Sequence, residues 1–291
     1  MFEEILMRVK GVSDKRRFVE EKRDGIGDEI EIFGDDIIEV RVKPGVQMSS
    51  FAELINYVFS DLRGDLLDLR VYPEPKYKRP ELREPTFGAI IKPSYGFDMS
   101  YYKRVVRRLA EEGLSIIKED ELFTGDRISR LTVALDILDD FDPKPLYVVN
   151  AVPATEDLLD ELKEHGAEAV LITFLSLGLD AINRASKRFF VRSHRAGHQF
   201  MNVPYRILAY LQSIAGANFV HVGTDVKEIK NMRILPHTYP VICSGLDHDS
   251  LIRIAKALNR GVYMFSYSIY SGGDVINIRE IIEEEFKNAR R

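Results

Sequence analysis

Lys118, Glu119, Asp120 and Glu121 follow two isoleucines in the stretch SIIKEDELF. A strand alternates its faces, so Lys118 and Asp120 share one side, Glu119 takes the other, and Glu121 can swing back from the loop that follows. A lysine and two carboxylates on one face suit a hard cation such as Mg2+, which takes oxygen ligands in an octahedral array. A protonated ammonium cannot be one of those ligands. The same four residues also describe a buried Lys–Asp pair with solvent-facing glutamates, and the motif alone does not separate the two.

Other residues with chemical capacity recur at the ends of short apolar runs. Lys92 and Pro93 close FGAIIK, and Asn150 lies in LYVVNAV. His194 and Arg195 close FFVRSH, with His198 shortly after, and His221 lies in FVHVGT before Gly223 and Thr224. Ser244 and Gly245 end PVICSG, and Gly272 and Gly273 stand in YSGGD. Arginine offers a fixed fork for phosphate oxygens, though it serves equally in a structural ion pair. His221 can donate to a phosphate or stand as a satisfied core group. Backbone N–H groups after Gly223, and at Gly272 and Gly273, can meet an anion or simply form turns. His165, His237 and His248 fall in helix ends or loops and carry no signal.

These residues need a frame. From Phe87 onward eight apolar runs alternate with eight amphipathic segments, from MSYYKRVVRRLAEEG to NIREIIEEEFKNA. Continuous apolar strands alternating with helices imply a parallel sheet covered by helices, and eight such units predict a closed (β/α)8 TIM barrel over residues 86–291. A doubly wound sheet is the other arrangement, but IKPSYGFD is not its glycine-rich phosphate turn. In a barrel, chemistry gathers at the C-terminal ends of the strands, where the residues above fall.

Residues 1–85 have a different texture: strand-like DEIEIF and DIIEVRVKP, then a helix around SSFAELINYVFSDL, a small α+β domain. VYPEPKYKRPELREP, with four prolines in 15 residues, reads as an extended linker. The chain has 291 residues, 45% of them hydrophobic, and a net charge of -5, which gives no general attraction to nucleic acid. Its single cysteine, Cys243, excludes an intrachain disulfide and a thiolate metal cluster. No apolar run is long enough for a membrane span, and MFEEILMRVK lacks a signal-peptide pattern, so a cytoplasmic protein is expected.

Taken in order, the strand ends resemble the large subunit of ribulose-bisphosphate carboxylase (RuBisCO) and the RuBisCO-like proteins. GAIIKPSYGFD resembles the family's Gly-x-x-x-Lys-Pro-x-x-Gly segment, and IIKEDEL its Lys-Asp-Asp-Glu metal motif, with Glu119 in place of the first Asp. VVNA, SHRAGH, HVGT and ICSGL resemble its further strand ends, and the 26-residue step from Lys92 to Lys118 equals the family's. The resemblance implies that Lys118 takes up CO2 as a carbamate and binds Mg2+ with Asp120 and Glu121. It implies that Lys92 moves protons near an enediolate and that His194 contacts the reacting oxygens. Arg195 and His221 would hold a phosphate, Ser244 and Gly245 would contact the substrate, Asn150 would support the site, and Lys227 would be the lysine of the loop after the sixth strand. A homodimer with the site at the subunit interface is implied.

The departures are specific. Ser94 stands where the family's carboxylases carry a second lysine, Asp61 where they carry a catalytic Asn, and Leu246 where they carry a second Gly; the N-terminal part is shorter. The function expected is therefore a RuBisCO-like, Mg2+-dependent enolisation or isomerisation of a phosphorylated, sugar-like substrate. A ribulose-1,5-bisphosphate carboxylase and a non-catalytic barrel scaffold are the alternatives.

Overall fold

The computed structural model describes residues 2–15, 17, 18, 20, 22, 27–34, 36–44, 48, 50–59, 64–94, 96–123, 125–197, 203–243, 247–271 and 274–287. Eight parallel strands form a closed barrel: β5 (Thr86–Ile90), β6 (Ile116–Lys118), β7 (Leu146–Asn150), β8 (Ala169–Thr173), β9 (Phe190–His194), β10 (Phe219–His221), β11 (Tyr239–Ile242) and β12 (Val262–Phe265). β12 pairs back onto β5, with Val262 opposite Thr86, which closes the ring. Each strand is followed by a helix, so the alternation in the sequence maps onto the barrel unit by unit.

The helix starts are written locally. The side chains of Asp98, Asp126, Thr155, Asp225 and Asp247 each accept a hydrogen bond from the backbone N–H three residues on, which satisfies a donor that the first helical turn leaves open.

The barrel interior has two tiers, set by strand alternation. Ile90, Ile116, Val148, Phe219, Val241 and Met264 belong to one buried apolar cluster inside the ring. Two residues further along each strand, on the same face, the side chains turn polar: Lys92 after Ile90, Lys118 after Ile116, Asn150 after Val148 and His221 after Phe219. The apolar tier fills the lower barrel and the polar tier lines the end where strands finish.

Two sequence expectations change. The run VYMFSYS does not stay a strand to its end: β12 stops at Phe265, and a 3-10 turn, Tyr267–Ile269, leads into a short hairpin of β13 (Tyr270–Ser271) and β14 (Asp274–Val275). The proline-rich segment is a packed strap rather than a free linker. The carbonyls of Lys78 and Pro80 accept hydrogen bonds from Asn218 and Tyr239, Arg79 stacks on the Tyr239 ring at 4.3 Å, and Leu82 packs against the apolar cluster of the barrel. Proline removes backbone donors but leaves carbonyls, and the barrel uses those.

The N-terminal part is a four-stranded antiparallel sheet in the order β2 (Gly27–Phe33), β3 (Ile37–Pro44), β1 (Glu4–Lys10) and β4 (Asp65–Tyr72). Ile5, Met7 and Val9 pair across to Val42, Val40 and Ile38, and all six are buried, as alternation on one covered face requires. The helix Phe51–Phe59 closes this domain. Ser50 and Glu53 form a reciprocal capping box, at 3.2 Å each way. The next two free N–H groups, of Phe51 and Ala52, donate to the Asp180 carboxylate of a barrel helix at 2.8 and 3.1 Å. Asp180→Ala is expected to lower stability by about 1 kcal/mol, the usual worth of such a cap, with Asp180→Asn losing less. Urea unfolding of the two variants measures the difference.

Candidate active site

The polar tier converges where Lys118 leaves β6. Its ammonium is fully buried and donates to Glu121 Oε2 at 3.2 Å. Burial lowers the Lys118 pKa, an effect that the Glu121 charge opposes and the Arg192 charge reinforces. Burial also works against ionisation of Glu121, yet the charge of Lys118 and the nearby His194 hold its carboxyl down at about 2. His194 Nε2 lies 3.4 Å from Glu121 Oε1. Burial brings the imidazole down to about 4, so at neutral pH it is uncharged and this contact is polar rather than ionic.

Asp120 forms the second half of the site. Its Oδ2 is paired with the Lys92 ammonium, and its Oδ1 accepts from Leu122 N at 2.9 Å. Lys92 also donates to Ser94 Oγ at 3.1 Å. Burial disfavours the charged lysine, but the bond to Asp120 outweighs it and raises the pKa. Asn150 braces the loop beneath: its amide reaches the carbonyls of Asp120, Glu121 and Phe123 at 3.4, 3.1 and 3.2 Å.

Glu119 faces away from these groups, as the alternation requires, but it is not at the solvent. It is fully buried, paired with Arg130 Nε at 2.7 Å, and accepts the Asn150 backbone N–H at 2.9 Å. The outward-facing Glu119, a bystander by the sequence reading, is thus an anchor between the strand and the helix Arg127–Leu138.

On the opposite wall His194 and His221 lie with ring centroids 5.6 Å apart. Burial, then the charges of Arg192 and Arg195, push the His221 pKa well down. Arg195 stacks over the Tyr205 ring at 5.4 Å and lies against Gly223, where an added Cβ would come within 2.9 Å of Nη1. Gly223 has φ +82°, the left-handed region that favours glycine. Lys227 is exposed on the short helix Val226–Asn231. Asp61, His198, Ser244, Gly245, Leu246, Gly272 and Gly273 lie outside the described residues.

Sequence reasoning overlooked two features. Three tyrosines surround Lys92: Tyr270 accepts its backbone N–H at 3.3 Å, Tyr101 donates to its carbonyl at 2.8 Å, and its ammonium lies 4.5 Å from the Tyr267 ring centre. No local pattern announces these, because they arrive from the neighbouring helix and from the turn after β12. The other is Arg192, two residues before His194 and therefore on the same face; the alternation of FVRSH carried that signal.

The donor set fits a hard cation only in part. Among the described residues no group of three or more His, Cys, Asp or Glu side chains is placed to hold a metal. Two carboxylates, of Asp120 and Glu121, are both held by lysines, and the further oxygen ligand that the resemblance implies would be a carbamate on Lys118. Carbamate formation on its nitrogen supplies that oxygen and reverses its charge, which fits an amine whose burial favours the neutral form. A separate cavity of about 950 Å3 opens at the other end of the barrel, against Thr86, Ser115 and Phe190 at the strand starts, remote from these groups.

No family model matches the chain. Among curated proteins it is 28% identical over 162 residues to an uncharacterised RuBisCO-like protein of Bordetella bronchiseptica, covering 48% of this chain and 37% of that one. It is 24% identical over 252 residues to a 2,3-diketo-5-methylthiopentyl-1-phosphate enolase of Bacillus cereus, covering 76% of this chain and 56% of that one. The chain thus matches between about a third and just over half the length of these relatives. Among solved structures, a rubisco-like protein from Burkholderia fungorum superposes with a TM-score of 0.76 over 99% of this chain and 94% of that one, at 15% identity. An octameric RuBisCO from Pyrococcus horikoshii gives 0.75 over 99% and 88%, at 16% identity. The superpositions speak for the fold, a barrel with a small N-terminal sheet domain. In sequence and in fold alike, the chain is similar to members of the RuBisCO large-subunit superfamily.

Proposed function

We propose that the chain is a Mg2+-dependent enzyme that enolises or isomerises a phosphorylated, sugar-like carbonyl compound, such as a ketose phosphate, through an enediolate and without fixing CO2. The observation that carries this is the meeting of the Lys118–Glu121 and Lys92–Asp120 pairs with His194 at the strand ends. The similarity to a phosphate-bearing diketone's enolase supports the reaction class.

Lys118, as the carbamate formed with CO2, would hold Mg2+ together with Asp120 and Glu121. The bound cation supplies Lewis-acid stabilisation to an enolate oxygen as its charge develops. Lys92 is the proton carrier. While Asp120 holds its ammonium the proton stays on; with that carboxylate engaged elsewhere, Lys92 can release this proton to solvent and, as the neutral amine, take one from the carbon beside the carbonyl. His194 is neutral at working pH, and its Nδ1 is buried with no hydrogen-bond partner among the described residues, so one ring nitrogen is available to a substrate oxygen. Arg195 and His221 would receive the phosphate, with Ser244 and Gly245 on the adjoining strand end. A homodimer that builds its site between subunits, a domain boundary between residues 85 and 86, and a cytoplasmic setting complete the proposal. Among the described residues no helix is long and apolar enough to cross a membrane.

The experiment is proton exchange in D2O. Ketose monophosphates incubated with the protein, Mg2+ and bicarbonate should lose the NMR signal of the proton beside the carbonyl. Absence of exchange together with absence of Mg2+ binding would overturn the proposal and leave the scaffold. Several curated relatives are RuBisCO large chains, among them that of Rhodopseudomonas palustris at 24% identity, which favours the carboxylase as a second reading. That activity would call on Lys227, and labelled CO2 appearing in phosphoglycerate would establish it. Ser94, spent on Lys92 in place of a second lysine, argues against it.

Gly223→Ala tests the phosphate side. The substitution places a side chain in the left-handed region, at about 1 kcal/mol of stability, and pushes the Arg195 guanidinium aside. Phosphate affinity should fall several-fold in equilibrium binding while Mg2+ affinity is retained.

A further inference from the structure

Arg192 has no place in the chemistry above, yet it lies at 2% exposure inside the barrel. It stands on β9 two residues before His194. Ser193, between them, points outward and donates to Gln212 Oε1 at 2.6 Å on the surrounding helix, so Arg192 points in. One guanidinium nitrogen, Nη2, donates to Cys243 Sγ at 3.5 Å. Nε and Nη1 are buried with no hydrogen-bond partner among the described residues. Among those residues no carboxylate comes within ion-pair distance of it, either. A guanidinium does not shed its proton, so burial cannot neutralise it, and a buried charge without a counter-ion is strongly unfavourable.

Its charge acts on Lys118, His194 and His221. Lys118 is also fully buried and of the same sign, with Glu121 at 3.2 Å as its carboxylate partner. Lys92 has already engaged Asp120. Among the described residues the Arg192 charge is thus left without a carboxylate, and a carbamate on Lys118 would add a negative charge inside the same barrel.

We propose that Arg192 is a positioning residue for carboxylation of Lys118, its charge and one of its unpartnered N–H groups facing an oxygen of the carbamate. The inference rests on the function proposed above. In the step itself the unprotonated Lys118 nitrogen attacks the carbon of CO2. An N–C bond forms, one C=O electron pair moves onto oxygen, and a nitrogen-bound proton leaves to solvent. Counted from the ammonium, two protons depart and the side chain passes from +1 to −1. The force between Lys118 and Arg192 changes from repulsion to attraction, and an orphaned donor gains an acceptor.

The test is 13C NMR of the whole protein equilibrated with 13C-labelled bicarbonate at graded CO2, without substrate. The wild type should show a carbamate carbon that Lys118→Ala lacks. Arg192→Met should need at least about tenfold more CO2 for half occupancy, and Arg192→Lys should recover part of the loss because it keeps the charge. Circular dichroism checks that each variant is folded, and Arg192→Gln takes the place of Arg192→Met if the latter is not. A neutral variant that carboxylates at the wild-type CO2 level would overturn the role of Arg192 and leave the proposed site intact. A wild type without any carbamate would overturn the proposed site, and this inference with it.

Discussion

Lys118→Ala is expected to abolish Mg2+ binding at the strand ends and to slow proton exchange by about a thousandfold or more, since a metal ion's stabilisation of a developing oxyanion is worth several kcal/mol. The substitution removes the nitrogen that approaches Glu121 Oε2 at 3.2 Å and leaves Asp120 and Glu121 as the carboxylates of the site. It should not unfold the protein. Alanine relieves the penalty of a fully buried ammonium while the half-buried Glu121 carboxylate loses its lysine, so the thermal midpoint should stay close to that of the wild type. Loss of function with retained stability separates a working residue from a structural one. Isothermal titration with Mg2+ in bicarbonate buffer gives the first number and NMR exchange the second. A variant that keeps both would dismiss the metal reading of SIIKEDELF.

Glu119→Ala should do the reverse, costing about 3–5 kcal/mol of stability, because it strands a buried charge. Arg130 is 5% exposed and Glu119 is not exposed at all, and the carboxylate also takes up the Asn150 N–H. Without it a guanidinium and a backbone donor are left in a dry seam between strand and helix. Paired replacement, Glu119→Leu with Arg130→Met, should recover most of the loss, as apolar substitutes for buried ion pairs often do. Urea unfolding of the single and double variants decides it. A single variant within about 1 kcal/mol of the wild type would mean that water enters the seam and satisfies the arginine.

The contrast between these neighbours marks how far the sequence could be followed. Strand alternation alone assigned Lys118, Asp120 and Glu119 to their faces, because a period of two leaves no freedom once the strand is recognised. It could not tell that the outward face is dry. That depends on Arg130, which lies eleven residues on and reaches Glu119 only when its helix packs across the strand. The strap shows the same limit: prolines announce an extended chain, but whether it floats or binds depends on the acceptor demand of Asn218 and Tyr239, far along the sequence. The alternation of FVRSH carried the inward face of Arg192, which sequence reasoning overlooked, while its lack of a counter-ion among the described residues depends on every other strand at once. The tyrosines around Lys92 belong to this group too, as contacts made by closure of the ring. What a strand or a helix start imposes locally was legible; what the closed barrel leaves paired or unpaired was not.

The seam between the two parts of the chain carries a consequence of its own. On the barrel side the polar contacts are made by side chains, Asp180, Arg206 and Tyr210. On the side of the sheet domain, up to Tyr72, the described partners of these three are main-chain atoms, the N–H groups of Phe51, Ala52 and Val71 and the carbonyl of Leu67, while side chains of the strap, Glu74 and Tyr77, make polar contacts of their own to Arg233 and Asn183. Main-chain atoms are the same whatever residue carries them. Mutational drift should therefore be lopsided across this boundary: the small sheet domain can exchange its residues at those positions without breaking the polar joint, while three positions of the barrel are pinned. A library randomised on each side would show this as a broad spectrum of accepted residues at 52 and 67, and a narrow one at 180, 206 and 210.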